Sequence, residues 1–138
     1  MGNRNKAKGT KWESEVRDYL NRELGQVDDD GRFYNPADPH NVKRQAQEGR
    51  ADVGDVWAVP FVLECKNEKS IRLPAYVRQA ETEADNAGLP YGVAVVEQRG
   101  RGPAHGHVAM SLATFARLLT QVRKGHANTS TTPAEQQR

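Results

Sequence analysis

The chain has 138 residues, of which 36% are hydrophobic, and this composition supports one compact domain with one core. Its net charge is only +2 although 28% of its residues are charged, so bulk charge alone does not indicate nucleic-acid binding. One cysteine excludes an internal disulfide, and no apolar segment approaches the about 20 residues that cross a bilayer. The basic start also lacks the apolar stretch of a signal peptide, so we expect a soluble cytoplasmic protein.

Basic charge is concentrated at the amino terminus. The first twelve residues contain no acid and four basic side chains: Arg4, Lys6, Lys8 and Lys11. We expect a flexible arm over residues 1–9 that can neutralise phosphates, although a merely solvated terminus has the same composition. A folded domain should span residues 10–124. Residues 125–138 are almost without apolar side chains and are expected to be a disordered tail.

The first predicted element is a helix from Thr10 to about Gly25. Thr10 and Glu13 have capping-box spacing, and four apolar residues recur on one face, namely Trp12, Val16, Tyr19 and Leu20. Residues 27–54 are rich in Asp, Asn, Pro, Gly and Arg and indicate only two short extended patches, at 32–34 and 42–45.

Two apolar strands are predicted next, over residues 53–59 and 61–66, with Pro60 in the turn. A helix follows over 74–87, with Gly88 as its stop and an apolar stripe of Tyr76, Val77, Ala80, Ala84 and Ala87. Residues 91–96 are predicted to form a third buried strand. After a flexible turn at 98–106 come a short strand at 107–110 and a helix at 111–123 with a buried face of Leu112, Phe115, Ala116, Leu119 and Val122.

This order of elements predicts the fold class. A mixed sheet with helices on both faces buries all of these apolar stripes, so we expect an α/β sandwich.

The strand at 61–66 carries charges that an apolar strand should not carry. Because side chains alternate along a strand, Glu64 and Lys66 project from one face and Cys65 from the other. Burying such charges costs several kcal/mol unless each finds a counter-charge or a metal, so the pattern indicates chemistry. Asp55, at the head of the preceding apolar run, adds a second carboxylate, which a hairpin would bring alongside.

Two converging carboxylates favour a magnesium site. Mg²⁺ typically takes one or two protein carboxylates and leaves other positions to water and phosphate, so Asp55 and Glu64 suffice, with the Cys65 carbonyl as a further ligand. Lys66 can orient or deprotonate the attacking water or stabilise charge on a phosphoryl group. His105 and His107 could share a strand face, but no further ligand lies at structural-zinc spacing.

These residues resemble a known signature. Asp55, Glu64 and Lys66 match the PD-(D/E)XK nuclease pattern, with Gly54 in place of its proline. The segments at 8–13, Lys-Gly-Thr-Lys-Trp-Glu, and 76–81, Tyr-Val-Arg-Gln-Ala-Glu, are similar to those of archaeal-type Holliday junction resolvases and their phage-encoded relatives. The similarity covers about residues 6–97, whereas residues 27–41 exceed the length expected for that family.

The resemblance implies a restriction-endonuclease-like α/β sandwich with a central mixed sheet flanked by helices. It also implies that Glu13 reaches the metal site, that Asp55 and Glu64 bind Mg²⁺, with Mn²⁺ as a substitute, and that Lys66 is the catalytic lysine. Gln79 would brace the site. Simpler alternatives are a capping-box role for Glu13, a surface position for Gln79, Asp52 in place of Asp55, and an ordinary ion pair between Glu64 and Lys66.

We therefore expect a Mg²⁺-dependent DNA endonuclease that resolves four-way junctions, leaves 5′-phosphates and acts as a homodimer, because cutting a two-fold symmetric junction needs two sites. The alternatives are a nuclease of this fold acting on linear DNA and a DNA-binding module without activity. Candidate phosphate contacts are Lys6, Lys8, Lys11, Arg44, Arg50, Arg99 and Arg101.

Overall fold

The computed structural model describes residues 2–46 and 52–130, and the side chains of residues 8–46 and 52–127. It is an α/β structure with these elements: α1 (Gly2–Glu23), β1 (Lys43–Arg44), β2 (Val56–Ala58), β3 (Phe61–Lys66), α2 (Leu73–Ala87), β4 (Tyr91–Val96), a 3₁₀ helix (Pro103–His105), β5 (His107–Ala109) and α3 (Leu112–Ser130). Within the described ranges, no helix combines the length and the apolar character that crossing a bilayer requires.

The five strands form one mixed sheet in the order β1-β2-β3-β4-β5. Only β3 and β4 run parallel, and α2 makes the crossover between them. The other neighbours are antiparallel, and β2 and β3 are joined at a cis Val59–Pro60 bond. The carboxyl ends of β3 and β4 therefore lie beside the start of β2.

Helix α1 covers one face of the sheet. Trp12 and Val16 are 1% and 4% exposed and pack with Leu63, Val93 and Val95 in the main core. The Trp12 indole Nε1 also donates a hydrogen bond to the Val95 carbonyl at 3.0 Å. Each buried apolar side chain of this size contributes about 1.5–3 kcal/mol, so this cluster fixes α1 on the sheet.

Helix α2 covers the opposite face. Tyr76 packs with Ala94 and Val96, whose side chains alternate with those that face α1. Gly92 lets the helix come close, because a Cβ there would overlap the Ala80 backbone. The sequence prediction of an α/β structure whose mixed sheet is covered on both faces is thus confirmed.

Several predicted bounds are also confirmed, most directly those of β3 and β4. Helix α1, however, begins at Gly2 and not at Thr10. The predicted capping box is therefore wrong, and the basic residues expected in an arm lie in the first turns of α1, where Lys, Arg and Ala favour helix. Strand β2 starts at Val56, later than predicted, because Gly54 adopts φ +93° just before it.

The predicted buried face of the last helix is wrong. Leu112, Phe115 and Val122 are 81%, 46% and 56% exposed, whereas the polar Thr114 is fully buried. Thr114 donates a hydrogen bond to Glu81 of α2 at 3.3 Å, so the helix docks by a polar contact near its start. Helix α3 continues to Ser130, beyond the predicted end, and residues 131–138 lie outside the described residues.

Candidate active site

The start of β2 and the end of β3 hold the first carboxylate of the site. The Asp55 backbone NH donates to the Leu63 carbonyl at 3.2 Å, and the Cys65 NH donates to Asp55 Oδ2 at 2.9 Å. The second bond is made by the side chain, so it fixes the Asp55 carboxylate next to the strand that carries Glu64. The antiparallel pairing of β2 with β3 thus produces the convergence expected from the sequence.

Glu64 and Lys66 project together from β3. The Lys66 Nζ lies 3.2 Å from Glu64 Oε2, and their side chains are only 16% and 6% exposed. The same ammonium lies 5.2 Å from the centre of the Tyr76 ring. Low exposure weakens solvent screening, so this pair is held more firmly than a surface ion pair.

The carboxylates are close enough to disturb one another. Burial, together with the negative charges of Glu64 and Glu13, raises the pKa of Asp55 to about 8. Glu13 reaches this region from α1 and pairs with the Arg44 Nη2 at 3.1 Å. Four predicted site residues, Glu13, Asp55, Glu64 and Lys66, are therefore brought together.

Glu83 of α2 belongs to the same cluster, and the sequence interpretation missed it. It is 1% exposed, and its pKa is raised to about 10 by burial and by the neighbouring Glu64 and Asp52. A sequence signal was present, because position 83 lies three residues after Ala80 on the buried stripe of α2. A glutamate on an apolar helix face is the same kind of anomaly as Glu64 on an apolar strand.

Gln79 contacts Glu83 and not the predicted metal ligands. Its Nε2 donates to Glu83 Oε2 at 3.0 Å, so any bracing of the site passes through Glu83. Asp52 Oδ1 accepts a hydrogen bond from the Gly54 NH at 2.9 Å and thereby caps the turn before β2. Asp55, whose side chain bonds to the Cys65 NH, is the better placed of the two aspartates.

Two buried carboxylate oxygens lack a hydrogen-bond donor among the described residues, namely Glu64 Oε1 and Glu83 Oε1. Such oxygens are costly unless a proton or a cation compensates them. No three His, Cys, Asp or Glu side chains form a ready ligand set within residues 8–46 and 52–127. A magnesium ion needs only one or two protein carboxylates, so Asp55 and Glu64, with the uncompensated Glu64 oxygen, fit that requirement.

Basic residues line two cavities beside Lys66. The larger, of about 520 Å³, is bounded by Lys8, Lys66, Lys69 and Arg99, and the smaller, of about 260 Å³, shares Lys8 and Arg99 and adds Lys11. Burial raises the pKa of Glu97, which borders the smaller cavity. Three of the predicted phosphate contacts thus gather at one cleft that leads to the site.

The remaining predicted contacts do not join this cleft. Arg44 lies with Glu13, and the Arg101 Nη2 lies 3.3 Å from the His105 ring. The side chain of Lys6 and the whole of Arg50 lie outside the described residues.

The side chain of Cys65 lies in the core as expected, and the ligand role of its carbonyl stays a prediction. Burial raises the pKa of the Cys65 thiol, so this side chain is a neutral core residue. His105 lies in the 3₁₀ helix and His107 in β5, so they do not share a strand face as the sequence suggested.

Comparisons of the chain with protein-family models, with curated proteins and with solved structures found no match.

Proposed function

We propose that this protein is a divalent-cation-dependent DNA endonuclease with a restriction-endonuclease-like fold. The observation that supports this most strongly is the convergence of Asp55 and Glu64 with Lys66 at one end of the sheet. Two acids and an amine on neighbouring strands are the parts that phosphodiester hydrolysis with Mg²⁺ requires. The resemblance of these three positions to the PD-(D/E)XK pattern supports the same conclusion.

Each side chain has a role that its position allows. Asp55 and Glu64 would hold the cation, which would neutralise the scissile phosphate and acidify the attacking water. Lys66, whose ammonium is set by Glu64 and Tyr76, can orient that water or stabilise the phosphoryl oxygens. Lys8 and Arg99 can bind the neighbouring phosphates along the cleft.

We further propose a four-way DNA junction as the substrate and a homodimer as the active form. The similarity of segments 8–13 and 76–81 to Holliday junction resolvases supports the substrate. A junction has near two-fold symmetry, and symmetric cutting of two strands calls for two copies of the site.

A cleavage assay tests the activity. The unaltered protein should convert a labelled four-way junction into nicked duplexes in Mg²⁺ or Mn²⁺, and a chelator should stop it. Asp55→Asn should lower the cleavage rate at least about 100-fold, because it removes one cation ligand, yet retain junction binding. Asp85→Asn, an exposed carboxylate of α2, is the matched control and should cleave normally.

Other outcomes separate the alternatives. If the protein cleaves a linear duplex of the same sequence equally well, it is an endonuclease that acts on linear DNA and not on junctions specifically. Binding without cleavage in either metal would leave a DNA-binding module. Failure of both binding and cleavage would overturn the proposal.

A further inference from the structure

A second basic groove lies beside α1 and shares no lining residue with the cleft at Lys66. It has a volume of about 580 Å³ and runs between the second half of α1, the turn after it and strand β1. Four basic and two acidic side chains line it, namely Arg17, Arg22, Lys43 and Arg44 with Asp18 and Asp30, beside the ring of Phe33. The sequence interpretation assigned no role to residues 27–41, which build one wall.

That wall is held in place by its own polar groups. Asp28 Oδ1 accepts the backbone NH groups of Asp30 and Arg32, each at 2.9 Å. The side chain of Gln26 donates to Asn41 Oδ1 at 2.7 Å and so ties the two ends of the segment together. The groove is therefore preformed, which lowers the entropic cost of binding a ligand there.

The opposite wall is fixed to α1. The buried Asn21 donates to the Val42 carbonyl at 2.9 Å and accepts from the Val42 NH at 2.8 Å. This reciprocal pair sets the position of β1, whose two residues are both basic and exposed.

Charge in the groove favours an anionic ligand. Arg17 is paired with Asp18 at 2.9 Å and Arg44 with Glu13 at 3.1 Å. Among the described side chains, Arg22 and Lys43 have no carboxylate partner. The Lys43 Nζ lies 5.7 Å from the Phe33 ring centre, so one face of that ring is already covered by a cation. This arrangement suits phosphate groups better than a stacked base.

Arg44 connects the groove to the candidate site, because it lines the groove and holds Glu13. Glu13, Arg17 and Asn21 are spaced four residues apart and so lie on one side of α1. Arg22 lies about 14 Å beyond Glu13 along the helix axis, at about 1.5 Å per residue, and lines the same groove as Arg44.

We infer that this groove binds the phosphate backbone of a duplex DNA arm, at phosphates away from those held in the Lys8 and Arg99 cleft. The inference rests on the proposed function, since it takes the Asp55 and Glu64 end of the sheet as the place of cleavage. It assigns residues 27–44 to substrate binding, with Arg22 and Lys43 as the phosphate-binding cations, although Lys43 Nζ also donates to the Pro36 carbonyl at 3.3 Å.

Binding measurements test this inference without relying on cleavage. Junction affinity is measured in a chelator over a range of salt concentrations for Arg22→Ala/Lys43→Ala. Two lost phosphate contacts should weaken binding about tenfold or more and reduce the salt slope by about two. The control, Arg123→Ala/Lys124→Ala in exposed positions of α3, removes the same charge. Equal losses in the two variants would mean that net charge alone matters and would overturn the inference.

Junctions in which single phosphates are made neutral show which phosphates the groove contacts. Junctions with single methylphosphonates along the arms should lose affinity for the unaltered protein at a few positions away from the cleavage point, and should lose none at those positions for the groove variant. Equal sensitivity of both proteins would contradict the inference.

A second variant, Arg22→Gln/Lys43→Gln, replaces the alanine variant if thermal unfolding shows that the alanine variant folds poorly. If binding depends on the groove but the protein does not cleave DNA, the nuclease proposal is wrong and the binding site stands. If the protein cleaves junctions but binding does not depend on the groove, the nuclease proposal stands and this inference is wrong.

Discussion

The carboxylate cluster and helix α3 depart from the usual burial pattern in opposite directions. Glu64 and Glu83 are 5% and 1% exposed, whereas Leu112 and Val122 are 81% and 56% exposed. The first departure costs folding free energy, because two carboxyl groups lie where little solvent reaches them and each needs a cation or a proton to compensate it. The second costs little folding free energy, since an exposed apolar side chain loses only the stabilisation that burial would have added. A costly anomaly therefore indicates function more strongly than an inexpensive one.

Breaking the Glu64–Lys66 pair should have the largest effect on stability. Lys66→Met should lower the free energy of unfolding by about 3 kcal/mol at neutral pH, because Glu64 would keep a buried charge without its cation. Chemical denaturation in a chelator measures this loss. Lys69→Met, at an exposed position, is the control, and Glu64→Gln/Lys66→Met should regain most of the loss. A loss no larger than that of the control would mean that the pair is only a surface contact.

Replacing the ionisable carboxyl group of Glu83 by a neutral amide should stabilise the protein. Its pKa is raised from 4.5 to about 10 by burial and by Glu64 and Asp52, so the folded state binds a proton that the unfolded state releases. That contribution is fully present below about pH 4.5 and is lost as pH rises towards about 10. Glu83→Gln should therefore raise the free energy of unfolding by about 2 kcal/mol near pH 8 in a chelator.

The pH profile sharpens this test. Unfolding of the unaltered protein should become easier between about pH 5 and 9, and Glu83→Gln should reduce that slope while Asp85→Asn leaves it unchanged. Identical slopes for all three proteins would show that Glu83 is not compensated by a proton in the folded state.

Gly54 sets the start of β2 and so the place of Asp55. Its φ is +93°, and a Cβ there would overlap the Val62 side chain. Gly54→Ala should cost about 2 kcal/mol of folding free energy, from strain and overpacking together, and should slow cleavage by displacing Asp55. Gly31→Ala is a matched control, since φ is +80° with open space around it, and it should cost about 1 kcal/mol. Equal costs would mean that the overlap with Val62 is relieved without strain.

The sequence predicted the central part of the fold because local signals and packing agree there. Strands β3 and β4 are apolar throughout, and the predicted bounds are confirmed. The pairing of Asp55 with Glu64 followed from a hairpin whose turn is marked by Pro60. Glu83 was missed because its partners, Glu64 and Asp52, are distant in sequence and meet it only through the crossover. The face of α3 was wrong because periodicity shows that a helix is amphipathic and does not show what covers it.

Truncating an apolar side chain of α3 should have the smallest effect on stability, in contrast to the same truncation in the core. Leu112→Ala should change the free energy of unfolding by less than about 0.5 kcal/mol, because an exposed side chain has little burial to lose. The same substitution at Leu63, which is 5% exposed, should cost about 3 kcal/mol. Thermal and chemical unfolding at several protein concentrations measure both. A cost above about 1 kcal/mol that grows with concentration would show that a second copy covers Leu112, because association stabilises the folded form by mass action.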